Sequence, residues 1–168
     1  LERGKFQSRS YYKLSLLPEY RLERNSDETV SIRAGASYDD TNRNDSELSL
    51  IGDITWERAH GDGHSESIYL SYAESSQVVG YTAIGGRTTG LFASNPNLDN
   101  ETSRNLELGG SFDRGDWSLD AAAFHRWDED LTDWTFGSGN SSARTANPVD
   151  IETFGVEVIA TRRIGEVE

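Results

Sequence analysis

The strongest constraint on this chain is a hydrophobic period of two that recurs along most of its length. In 29–39, Val30, Ile32, Ala34, Ala36 and Tyr38 share one face, while Thr29, Ser31, Arg33, Gly35, Ser37 and Asp39 share the other. Segment 47–56 repeats the pattern with Leu48, Leu50, Gly52, Ile54 and Trp56. So do 67–73 (Ile68, Leu70, Tyr72), 105–112 (Leu106, Leu108, Gly110, Phe112), 116–123 (Trp117, Leu119, Ala121, Ala123) and 153–160 (Phe154, Val156, Val158, Ala160). Successive side chains of a strand point to opposite faces, so each segment predicts a strand with one apolar and one polar face. A further strand over 10–24 is interrupted by Pro18, which suits an edge or a bulge because proline gives the ladder no N–H.

The connections between these seven expected strands are unequal in a regular way. Asn25 to Glu28, His60 to Gly63 and Asp113 to Asp116 are short turns rich in Asp and Gly, the residues that tolerate the positive φ of tight hairpins. The alternate connections, 40–46, 74–103 and 128–150, are longer and polar. Short turns at one end and long loops at the other is the asymmetry of an outer-membrane β-barrel, with periplasmic turns and extracellular loops. Aromatic residues mark both ends of the apolar faces. Trp56, Phe112 and Trp117 lie beside the short turns, and Tyr38, Tyr72 and Phe154 beside the long loops. Two membrane interfaces select for that placement; a soluble β-sandwich with aromatic cross-strand pairs is the competing fold. The expected architecture is all-β, antiparallel and up-and-down.

Composition removes other classes. With 29 acidic and 16 basic residues the net charge is −13, which gives no general attraction to nucleic acid. There is no cysteine, hence no disulfide framework and no thiolate chemistry. The apolar runs are too short for a transmembrane helix. A hydrophobic content of only 35% fits a barrel wall, where apolar and polar positions alternate. The chain contains no methionine and opens on Leu1-Glu2-Arg3 without a signal-peptide pattern, so residues 1–168 are expected to be an internal stretch of one barrel domain.

Several motifs resemble those of TonB-dependent receptors. Ser71-Tyr72-Ala73-Glu74-Ser75 followed by Gly80-Tyr81 is similar to that family's strand-to-loop entry. Asn95-Pro96-Asn97-Leu98-Asp99-Asn100-Glu101, running on to Arg104 and Glu107-Leu108-Gly109, resembles its loop-to-strand motif, with Asn100 where proline is usual. Asp116-Trp117-Ser118-Leu119 with Asp130-Leu131-Thr132-Asp133-Trp134, and then Val149 to Glu157, resemble the next hairpin and strand. The resemblance covers about 71–161. It implies a barrel of about 22 strands, occluded by an N-terminal plug domain and energised through TonB. It also implies a bacterial outer-membrane location and active uptake of a bulky scarce ligand: a ferric siderophore, cobalamin or an oligosaccharide. Within the motif, Asn95-Pro96 initiates a turn, and Glu101 and Arg104 are expected to pair where the strand begins.

No catalytic constellation emerges: no nucleophile, base and orienting acid stand in a recognisable arrangement. The chain is therefore not expected to be an enzyme, and no cofactor is expected. His60 and His64 flank a Gly-Asp-Gly turn; two histidines on a solvated hairpin are more often incidental than a metal site. Asp128-Glu129-Asp130 with Asp133 lacks the glycine and spacing of a calcium loop. Binding is expected in the long loops, which rigid scaffolds commonly use for that purpose. Tyr81, Arg87 and Phe92 in one loop, and Trp127, Trp134 and Phe136 in or beside the next, suit a ligand with a rigid organic face. The same aromatics would also serve simply to pack loop on loop. Active uptake competes at this point with a passive porin or surface adhesin barrel, and with a soluble sandwich that binds carbohydrate.

Overall fold

A computed structural model describes residues 10–42, 45–136 and 142–165. Every alternating segment in it is a strand. In chain order these are β1 (Tyr11–Leu16), β2 (Glu19–Glu23), β3 (Glu28–Thr41), β4 (Glu47–Ala59), β5 (Ser65–Gln77), β7 (Glu101–Arg114), β8 (Trp117–Phe136) and β9 (Arg144–Arg162). A one-turn helix, α1 (Tyr81–Ile84), and a two-residue strand, β6 (Phe92–Ala93), lie between β5 and β7. The strands form one open sheet in the order β1-β3-β4-β5-β7-β8-β9-β6, with β2 also on β3. The long neighbours are sequential and antiparallel. β1 and β2 are the two halves of the expected first strand, divided at Leu17-Pro18, and both pair with β3.

Three expectations are corrected. The connection expected over 128–150 is largely strand, because β8 continues to Phe136 and β9 begins at Arg144. A bulge at Asp128/Leu131, where Asp130 takes φ 57°, shifts the phase of the alternation and hides its continuation. The connection after β5 is shorter than 74–103 and contains α1 and β6 rather than irregular chain alone. The short β6 also departs from the up-and-down pattern: it pairs in parallel with β9, Phe92 opposite Arg144 and Ala93 opposite Thr145.

The register carries the two-face pattern across the whole sheet. Tyr20, Ile32, Ile54, Leu70, Leu108, Ala123 and Val156 are consecutive partners across seven strands. They make an unbroken apolar row. Among the described residues nothing covers it: Tyr20 is 64% exposed, Leu108 54% and Val156 63%. The opposite face is polar and concave. A groove of about 890 Å³ runs along β5, β7, β8 and β9, lined by Tyr69, Glu107, Asp120, Phe124, Arg126 and Glu157 among others. Cross-strand polar pairs line this face, including Arg33 Nε to Asp53 Oδ1 at 2.8 Å and Ser67 Oγ to Ser111 Oγ at 2.8 Å.

Two aromatic rings lie flat on that concave wall because glycine leaves room. Tyr69 lies against its partner Gly109 and donates from its hydroxyl to Glu107 Oε1 at 2.6 Å. Phe124 covers its partner Gly155 in the same manner. A methyl group at Gly155 overlaps the Phe124 ring, so the ring must swing off the wall. Overpacking of this kind costs about 1–3 kcal/mol. Gly155→Ala is therefore expected to lower the temperature at which the folded protein that carries this sheet unfolds. Gly155→Ala with Phe124→Ala should recover most of the loss; an unchanged single variant would mean that the ring is not held there.

Candidate functional site

Among the described residues the buried apolar ones gather at one end of the wall. Val79, Ala83, Leu98 and Ala146 form a small cluster at the long-loop end, with Ile84 and Trp134 packed against it. Glycine and small residues leave the segment after β5 free to turn. One helical turn then brings Ala83 inward, where its carbonyl accepts the Asn95 N–H at 2.7 Å. The segment is held to the β8–β9 hairpin by the β6 pairing, by Arg144 N–H to the Leu91 carbonyl at 2.8 Å, and by an edge-to-face contact of Phe92 with Trp134 at 5.5 Å. Ordered backbone and side-chain contacts thus tie this segment to the wall.

The candidate residues divide into two groups. Phe92, Trp134 and Phe136 come together, with the Arg144 guanidinium 4.6 Å above the Phe136 ring. Phe92 and Phe136 remain exposed, as do Tyr81 and Arg87 on the same docked segment. Phe92, Trp134, Phe136 and Arg144 make a partly open aromatic and cationic surface. Trp127 is elsewhere. It lies in β8, its ring centroid 4.0 Å from that of His125, which in turn sits edge-on to Phe154 at 6.4 Å. Trp127 is thus on the apolar face, in the aromatic belt beside the long loops. Arg144 was not singled out from sequence; its position opposite Phe136 depends on the strand continuation that the bulge conceals.

The motif beginning at Asn95 anchors this segment. Asn95 Oδ1 accepts the Asn97 N–H at 3.1 Å, Pro96 lies between them, and Leu98 is buried. Asn100 Nδ2 donates to the Asp45 carbonyl at 3.0 Å. Glu101 and Arg104 do not pair with each other, contrary to expectation. Three positions apart on a strand they face opposite sides. Glu101 Oε1 accepts the Thr132 N–H at 3.0 Å, while Arg104 forks onto Glu129 at 3.1 and 3.2 Å and approaches Glu74 at 3.8 Å. Glu74 in turn accepts the Leu50 N–H at 2.8 Å, where β4 and β5 part above Ile51 and Ala73. Glu107 points into the groove, held by Tyr69. Desolvation at the bulge, together with Asp150, Asp99 and Glu129, pushes the Asp130 carboxyl above its ordinary range. Among the described residues no group of His, Asp and Glu is arranged to hold a metal ion.

An open antiparallel wall with an exposed apolar face, a polar concave face and an ordered aromatic cap is a sector of a β-barrel. The sequence pattern of the "TonB dependent receptor-like, beta-barrel" family matches residues 7–165, and the chain belongs to that family. Among solved structures it is similar to the siderophore receptor PirA from Pseudomonas aeruginosa, with a TM-score of 0.57 and 17% identity. The match covers 88% of this chain and 30% of that receptor. No curated protein sequence matches.

Proposed function

We propose that residues 1–168 are part of the wall and mouth of a single barrel domain in the bacterial outer membrane. The receptor takes up a bulky, scarce nutrient with energy delivered through TonB by way of a plug domain. The observation that carries this reading is the apolar row Ile54, Leu70, Leu108, Ala123 and Val156 across consecutive strands, its larger side chains exposed. Water does not tolerate a continuous surface of that kind on a free-standing domain, and bilayer hydrocarbon does. The strands have the length required: about 9–11 residues span a membrane, and β3, β4 and β5 have 14, 13 and 13.

The ligand class follows from the mouth. Phe92, Trp134 and Phe136 with Arg87 and Arg144 suit a ligand with a flat organic face and negative charge. A ferric siderophore fits that description better than cobalamin or an oligosaccharide does, and the PirA likeness agrees with it. In cells expressing the full-length receptor under iron limitation, uptake of a ferric siderophore should be saturable and should stop when TonB is deleted. Phe92→Ala with Phe136→Ala should raise the half-saturating concentration about fivefold to tenfold. Uptake that continues without TonB would identify a passive pore instead.

A further inference from the structure

The apolar face ends differently at its two rims. At the long-loop end its outward positions are mainly acidic: Glu74, Glu129 and Glu152, with Arg104 and His125 already paired to them. At the short-turn end arginines predominate, Arg24, Arg58, Arg114 and Arg162, against Glu28 and Glu66, which both lie beside Arg58. Register brings two of these arginines to one tryptophan. Arg114 and Arg162 are the cross-strand partners of Trp117 on its two sides, and the Arg162 guanidinium lies 5.3 Å from the Trp117 ring. All three are exposed. Beside them, a concavity of about 200 Å³ is lined by Phe112, Arg114, His60, His64, Ser65 and Glu66.

Three of the nearby carboxylates are engaged elsewhere, while Asp116 stands exposed in the turn between Arg114 and Trp117. Glu66 lies 3.4 Å from His60 and 3.9 Å from Arg58, Asp62 lies 3.0 Å from His64, and Asp113 accepts from Ser65 at 3.3 Å. Among the described residues neither Arg114 nor Arg162 makes an ion pair. Two uncompensated guanidinium groups thus flank an interfacial indole at the depth where a lipid's phosphate meets its acyl chains. The guanidinium plane matches phosphate oxygens with paired N–H donors.

We propose that Arg114, Trp117 and Arg162 form a seat for the phosphate of an anionic phospholipid in the leaflet at the short-turn end. This rests on the outer-membrane barrel reading. The arginines hold the headgroup, Trp117 supports it with its ring and indole N–H, and the acyl chains lie on Leu119, Ala121, Val158 and Ala160.

The test uses the full-length receptor in detergent, with phosphatidylglycerol or phosphatidylcholine added and retained lipid counted by native mass spectrometry. Heat-modifiable gel mobility, read in parallel, reports whether each variant is a folded barrel. Wild type should retain phosphatidylglycerol in preference to phosphatidylcholine. Each arginine near an anionic surface strengthens binding about fivefold, so Arg114→Gln with Arg162→Gln should lower retention roughly 30-fold. Arg162→Gln alone, at the end of β9, should lower it about fivefold and covers the case in which the double variant fails to fold. Arg104→Gln at the opposite rim should have no effect. Folded variants that retain phosphatidylglycerol as wild type does, or a wild type that holds both lipids equally, overturn the proposal. A wild type without heat-modifiable mobility overturns the barrel reading beneath it.

Discussion

Leu108→Arg and Val156→Arg are each expected to stop the full-length receptor from assembling in the outer membrane, whereas Glu107→Gln and Glu157→Gln leave assembly largely intact. Both residues belong to the apolar row that the proposed function turns toward hydrocarbon, and both are more than half exposed. An arginine at the bilayer midplane of a barrel costs about 2–4 kcal/mol, a large fraction of a folded protein's stability. Glu107 and Glu157 line the polar groove, where loss of charge is met by water and by neighbouring polar groups. Removing the Glu107 carboxylate weakens one hydrogen bond to Tyr69 and leaves an amide oxygen to accept it. The measurement is the heat-modifiable fraction in outer-membrane preparations. The reverse ranking of the two pairs would mean that the concave face meets lipid.

A second large effect is expected when the 168-residue chain is prepared alone. In buffer without detergent it should aggregate or remain without a cooperative transition, and the far-ultraviolet circular dichroism melt should be broad. Among the described residues the buried apolar ones are few, namely Val79, Ala83, Ala93, Leu98 and Ala146, and they gather where the segment after β5 meets the top of the β8–β9 hairpin. The wall has no core of its own, so folding it in water would order long strands without removing their apolar face from solvent. Its open edges add a route to intermolecular pairing. A monomer that unfolds in one sharp step in buffer would refute the membrane-wall reading. Detergent micelles should restore part of the strand signal by covering the apolar face.

Much of the wall was legible because alternation is a local signal. Ile32, Ile54, Leu70 and Leu108 needed only their neighbours in sequence to be placed on one face, and the register then aligned them. The same locality explains what was not legible. At Asp130 a single bulge reverses the phase, so Trp134 and Phe136 read as loop residues although they pair with Ala146 and Arg144. The Glu101–Arg104 pairing expected from proximity in sequence ignored the alternation itself, which sends the two side chains to opposite faces. The cap depends on contacts between distant segments, Phe92 on Trp134 and β6 on β9, for which composition offers no rule. The aromatic residues of the mouth were therefore identifiable by type, but their grouping with Arg144, and the separation of Trp127 from them, required the fold.

The two-residue strand β6 has a consequence for the shape of the rim. By pairing with Arg144 and Thr145 it occupies the outward edge of β9 at its upper end. Whatever strand joins β9 on that side must begin its ladder lower down. That edge of the sheet is accordingly stepped: the top of the β8–β9 hairpin carries its own short flanking strand, and the open part of the β9 edge starts below it.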